Sequence, residues 1–149
     1  MKIIIPACGK GDRFRAAGYD TIKPLIKVHG RPMIDCVVQA LNMHDKLDEY
    51  VVVVNFDAKD VNHPVVKLDR DTVGAAETVL LALQARESAD FPVLLVDCDA
   101  IYHGDILESF RKLEARINVR AAVLSFREAA SAQSSIPKYS YCQIDANNE

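Results

Sequence analysis

The sequence has little of what would carry a protein to a membrane, a nucleic acid or an oxidising compartment. Among its 149 residues, 18 Lys and Arg stand against 21 Asp and Glu, a net charge of -3. Without a basic surplus, nothing argues for nucleic acid or an anionic lipid surface, so any affinity for phosphate must be local. No apolar run approaches the ~20 residues of a membrane span, and because Met1-Lys2 leads straight into a core-like strand, no secretory leader is expected. Cytoplasm is the expected compartment. Internal repeats, low-complexity tracts and linkers are also lacking. Half the residues are hydrophobic and 26% are charged, which is the balance of a globular domain. One domain over 1–149 is expected, long enough to bury a real core.

The four cysteines, Cys8, Cys36, Cys98 and Cys142, form no C-x-x-C pair and have no histidine at zinc-ligand spacing. Reduced, small and apolar is the reading for most of them. Cys8 and Cys98 adjoin the candidate site described next, but no Cys-His or Ser-His-Asp set is placed by the sequence.

What is present begins with Ile3-Ile4-Ile5-Pro6, a buried strand by its brevity and β-branching. It runs into Gly9-Lys10-Gly11-Asp12-Arg13. Glycines allow a sharp turn and a close approach of backbone N–H groups to a ligand, while Lys10, Arg13 and Lys23 supply positive charge. Phosphate binding and a plain tight turn both suit this spacing. Two familiar phosphate loops do not match. Ala16 and Ala17 stand where a dinucleotide fingerprint would place its third glycine and open its helix, and the Gly-Lys-Ser/Thr ending of a P-loop is missing.

Further along, strands alternate with helices. The connection at Gly18–Thr21 reads as irregular, and a helix is expected from Pro32 to about Met43, with Met33, Val37, Val38 and Leu41 on one face. Four valines within Tyr50–Asn55 read as a strand buried on both faces. A short strand over Val65–Leu68 precedes a helix from about Val73 to Arg86, capped by Asp71-Thr72. Phe91–Val96 is a strand delivering Asp97-Cys98-Asp99. Asp105–Arg116 is an amphipathic helix with Ile106, Phe110 and Leu113 inward. Asn118–Phe126 and Tyr139–Ile144 read as strands around a surface loop at Glu128–Ser135. The pattern predicts a three-layer α/β/α, Rossmann-like fold with a mostly parallel sheet. Such sheets bind ligands at the carboxyl ends of their strands, where the Gly9–Arg13 loop and Asp97–Asp99 both emerge.

Asp97 and Asp99 follow an apolar strand, where charge must be solvated, paired or bound to metal. Their hard oxygens suit Mg²⁺ shared with a nucleotide's phosphates, and a solvated turn is the plainer alternative. Gly74, near a helix start, would let a planar group approach the backbone, or simply pack. Glu77 reads as a solvated first-turn acid.

Taken together, Gly9-Lys10-Gly11-Asp12-Arg13-Phe14, Lys23-Pro24-Leu25-Ile26 and Gly30-Arg31-Pro32-Met33-Ile34 resemble the signature of the sugar-phosphate nucleotidylyltransferases. The resemblance continues at Asp71–Thr78 and at Asp97–Asp99. With Gly18-Tyr19 before the lysine, it looks most like the branch found with capsule and surface-polysaccharide genes. It implies the nucleotide-diphospho-sugar transferase fold and transfer of a nucleoside monophosphate from a nucleoside triphosphate to a sugar phosphate or similar acceptor, releasing pyrophosphate. It implies catalytic roles for Arg13 and Lys23, nucleotide binding by Ala7, Gly9, Gly11, Asp12, Gly74 and Asp97, and Mg²⁺ held by Asp99. Asp97 departs from the neutral residue usual there. Relatives run well past 200 residues and carry a second metal-binding aspartate and acceptor-binding elements in the later part. This sequence is therefore expected to hold the N-terminal part of such a domain, either truncated or with a partner or a shortened architecture replacing the later half. An unpaired last strand would invite homo-oligomer formation. Two alternatives stay open. One is a glycosyltransferase of the same fold, using a nucleotide-sugar through Asp-x-Asp. The other is a nucleotide-binding module without turnover.

Overall fold

Four short parallel strands position everything that follows. The structure, a computed structural model, describes residues 2–41, 49–85, 91–102 and 104–115. Strand β1 (Lys2–Pro6) is followed by a short helix α1 (Asp12–Ala16), a 3₁₀ turn (Lys23–Leu25) and a small hairpin of β2 (Lys27–Val28) and β3 (Arg31–Pro32). Then come α2 (Met33–Ala40), β4 (Glu49–Val54), β5 (Val65–Lys67), α3 (Ala75–Ala85), β6 (Val93–Leu95) and α4 (Ile106–Glu114). The sheet order is β5-β4-β1-β6, with every pair parallel. Ile4 sits between Val51 and Leu95 in register.

The apolar runs explain the layers. In a strand, successive side chains point to opposite faces, so an unbroken run of Ile or Val must be covered on both. One face of the sheet carries Ile3, Ile5, Val52 and Val54, packed with Ile34, Val37 and Leu41 and with Leu107. The other carries Ile4, Val51 and Val53, packed with Ala82 of α3 and with Leu68. Helices α2 and α4 thus cover one face and α3 the other, the three-layer arrangement expected. All the described residues belong to one compact unit, Met1–Ala115.

Several expectations need correction. Residues 12–16 form helix α1, starting well before Ala16. A five-residue helix has no room for an apolar period, so no periodic signal marks it. Gly11 precedes it in the left-handed region (φ 66), and its carbonyl accepts from the N–H groups of Phe14 and Arg15. Pro32 lies in β3 and precedes α2 rather than opening it, and on α2 Ile34 joins Val37 and Leu41 in the core. On α4, Leu107 is the buried residue, whereas Ile106, Phe110 and Leu113 are only partly covered. Asp105 caps that helix by accepting from the Glu108 N–H at 2.8 Å. The hairpin turns at His29 (φ 49) and Gly30 (φ 81). The strands expected at Asn118–Phe126 and Tyr139–Ile144, the loop at Glu128–Ser135 and the ends of the three expected helices at Met43, Arg86 and Arg116 lie outside the described residues. No helix among the described residues is long and apolar enough to cross a membrane.

Candidate nucleotide site

β1 is the turning point of the sheet: β4 and β5 lie to one side of it and β6 to the other. Adjacent parallel strands whose outgoing connections diverge leave a crevice at their carboxyl ends. Here that crevice is a cleft of about 720 Å³. Ala7, Gly9, Asp12, Lys23, Gly74, Asp97 and Asp99, seven of the residues singled out in the sequence, line it. Gly11 and Arg13 do not.

The β1 side is shaped by backbone. Ala7 is buried and donates its N–H to the Val53 carbonyl at 2.8 Å, extending the sheet pairing by one residue. Gly11 has two independent reasons to be glycine. Its φ is left-handed, and a Cβ there would stand 3.3 Å from the Lys23 Cβ. Close approach at this point sets the lysine beside the loop. Gly9 differs, since its φ lies outside the left-handed region and a Cβ would meet nothing within 4 Å. Gly74 behaves in the same way. Neither glycine is required by the fold of this chain.

Charge is organised by two ion pairs. Lys23 Nζ stands 2.5 Å from Asp99 Oδ2, and the same ammonium lies 5.7 Å from the centre of the Phe14 ring. Two sequence-nominated residues separated by 76 positions thus meet in the cleft. Lys10 Nζ reaches Asp71 Oδ2 at 3.4 Å, and Asn55 donates to the other carboxylate oxygen at 2.8 Å. Asp71 was not among the nominated site residues, and its partners come from two other connections, so spacing could not have found it. Arg13 is exposed in the first turn of α1 and makes no ion pair among the described residues.

Asp97 and Asp99 do not share a side by strand alternation. β6 ends at Leu95, and residues 97–100 form a turn with the Ala100 N–H directed at the Asp97 carbonyl, 3.3 Å away. Both carboxylates are exposed at the cleft, while Cys98 between them is buried. Burial pushes the Cys98 thiol up to about 11, against the nearby Lys23 charge. Burial also raises the Cys8 thiol, which donates to the Val53 carbonyl at 3.4 Å. Both sulfurs stay protonated near neutrality and are poor nucleophiles.

No group of three or more His, Cys, Asp or Glu able to hold a metal ion occurs among the described residues. One or two carboxylates at a strand end nevertheless fit Mg²⁺, which keeps several waters and takes oxygens from substrate phosphates.

The other side of the cleft is the segment entering α3. Glu77, read from sequence as a solvated acid, instead accepts from the Val73 N–H and from Arg70, each at 2.7 Å. Those two contacts hold its carboxyl below the usual range, the backbone N–H contributing most. Thr72 and Thr78 hydroxyls meet at 2.7 Å, and Thr78 donates to the Gly74 carbonyl at 3.2 Å.

The fold has known counterparts. A nucleoside-diphosphate-sugar pyrophosphorylase from Vibrio cholerae RC9 superimposes with a TM-score of 0.58 at 23% identity, covering 72% of this chain and 52% of that one. The inositol-1-phosphate CTP transferase from T. maritima does so at 0.52 and 20% identity, covering 66% and 43%. In sequence, the chain is 28% identical over 127 residues to the bifunctional protein GlmU of Methanocaldococcus jannaschii, a match covering 80% of this chain and 30% of that relative. The chain therefore spans about a third of the curated relative and about half of these structures. The family model for the MobA-like NTP transferase domain matches residues 3–136, nearly the whole sequence, and the chain belongs to that family.

Proposed function

We propose that the chain is the nucleoside-triphosphate-binding, N-terminal part of a cytoplasmic nucleotidyltransferase domain. It moves a nucleoside monophosphate from a triphosphate to a sugar phosphate or similar phosphorylated acceptor, in nucleotide-sugar and surface-polysaccharide biosynthesis. The observation carrying this reading is the pair of glycines, Gly9 and Gly74, that the fold does not require and that line one cleft with Lys23 and Asp99. Glycine at such positions serves what fills the cleft: a phosphate chain against the Gly9 backbone and a base against Gly74.

An acceptor phosphate oxygen attacks the α-phosphorus, and the bond from that phosphorus to the bridging oxygen breaks. Pyrophosphate leaves with the electron pair. The nucleophile is already anionic, so no general base is needed, which fits a cleft whose two thiols are held neutral. What the residues supply is alignment and charge. Lys23, packed on Gly11, places a point charge at the phosphates. Exposed Arg13 is free to fold its planar guanidinium over the outer phosphates. Asp99, with Asp97 beside it, would hold Mg²⁺, which when bound neutralises phosphate oxygens.

Pyrophosphate release, measured with four nucleoside triphosphates against a panel of sugar phosphates, tests the proposal. Release should require both substrates and a divalent cation, and should fall further in Asp99→Asn than in Asp97→Asn. Triphosphate binding with no release for any acceptor would reduce the chain to a binding module. Sugar transfer from a nucleotide-sugar would replace the reaction altogether.

A further inference from the structure

The segment 69–74 has no regular secondary structure, yet its residues Asp71 to Gly74 line one side of the cleft. Side chains tie it in place, and one carboxylate makes two of those ties. Glu77, in the first turn of α3, sends one oxygen back to the Val73 N–H and the other to the Arg70 guanidinium, both at 2.7 Å. Arg70 in turn donates to the Asp71 carbonyl at 3.2 Å. A first-turn glutamate reaching back to a backbone N–H is a familiar way of ordering a helix entry.

The reach-back has a consequence at the cleft. With its N–H committed to Glu77, Val73 turns its side chain outward, where it is 98% exposed. A fully exposed aliphatic side chain buries nothing of its own chain. Directly after it comes Gly74, where a Cβ would meet open space. An apolar branched side chain beside a bare stretch of backbone makes a surface for a flat, apolar face.

We infer that Glu77 is a positioning residue for nucleoside recognition, fixing the Arg70–Gly74 turn so that Val73 and Gly74 meet a nucleobase without touching the phosphates. The inference rests on reading the cleft as a triphosphate site, and it assigns the two parts of the ligand to different walls. The phosphates belong to the β1 loop and Lys23. The nucleoside belongs to a turn that one acidic side chain holds in shape.

Calorimetric titration of wild type, Glu77→Ala, Glu77→Gln and Arg70→Ala with nucleoside triphosphates and with inorganic tripolyphosphate tests it, with thermal melting run alongside. Glu77→Ala should weaken the best nucleoside triphosphate about tenfold, the order expected for losing a hydrogen bond to a charged group, and leave tripolyphosphate within about twofold. Glu77→Gln keeps a neutral acceptor for the Val73 N–H and should recover most of the loss. If Glu77→Ala does not fold, Arg70→Ala carries the test, with a loss of about threefold confined to the nucleoside triphosphate. Equal weakening of both ligands in the folded variants, or none in either, overturns the inference while leaving the triphosphate site standing. A wild type that binds neither ligand overturns the site itself, and the inference with it.

Discussion

The wall of the cleft built from residues 7–12 with Lys23 differs from the wall built from residues 70–78 in what holds each in place. The first is fixed by main chain. Ala7 continues the sheet through Val53, and Gly11 turns left-handed into α1 with its carbonyl capping two N–H groups. The second is fixed by side chains: Glu77 with Arg70 and Val73, Thr72 with Thr78, and Asp71 with Asn55 and Lys10. The balance of charge differs as well: Lys10 and Lys23 outnumber Asp12 on the first wall, and Asp71 and Glu77 outnumber Arg70 on the second. A backbone-built wall is suited to presenting fixed N–H groups and cations to phosphate. A side-chain-built wall can change its selectivity by single substitutions while the sheet stays as it is.

The largest effect expected is on Lys23. Lys23→Met should lower the maximal rate of pyrophosphate release by roughly 10²–10³, the usual loss when a preorganised charge is removed from a transition state. Triphosphate affinity should fall by much less, because the second wall is untouched. Full turnover at saturating triphosphate would mean that the phosphates do not lie against the first wall.

Next comes Cys98, at the floor between the walls. Its thiol is raised from 9.0 to about 11 by burial, so the unfolded chain loses that proton at a lower pH than the folded one. Between about pH 9 and 11 the folded state binds more protons, and stability therefore falls as pH rises. The contribution is intact below pH 9, and the whole loss is about 2–3 kcal/mol. Denaturant titrations of wild type and Cys98→Ala across pH 8–11 should converge as pH rises. Parallel curves would place the thiol in contact with water.

Glycine substitutions then sharpen the contrast on the first wall. Gly11→Ala forces a Cβ into a left-handed backbone, 3.3 Å from Lys23, and should cost about 1–2 kcal/mol by chemical denaturation. Gly9→Ala should leave stability within about 0.5 kcal/mol and should weaken triphosphate binding instead. A Gly9→Ala chain as destabilised as Gly11→Ala would show that both glycines serve the fold.

The smallest effect belongs to the second wall. Thr72→Val removes the hydroxyl that meets Thr78, at a cost of about 0.5–1.5 kcal/mol. Thermal melting would measure it. No change at all would leave Glu77 and Arg70 as the main ties of that turn.

Sequence alone determined the sheet and the first wall. Four consecutive valines and three isoleucines can be satisfied only by strands covered on both faces, and their parallel order follows from the alternating helices. The Gly9–Arg13 loop and Asp97–Asp99 had to emerge at one edge because each directly follows such a strand. These are local, periodic facts, and they survive reading along the chain. Tertiary structure decided the rest. That Lys23 meets Asp99, that Lys10 meets Asp71, and that β6 ends before Asp97 depend on connections distant in sequence. Helix α1 escaped because five residues carry no period. Glu77 looked like any first-turn acid because a glutamate's partners are set by where the preceding turn places its N–H groups. Gly9 and Gly11 look alike in the sequence, two positions apart in one loop. Only the packing of Lys23 against one of them, and open space beside the other, distinguishes the glycine the fold needs from the one it does not.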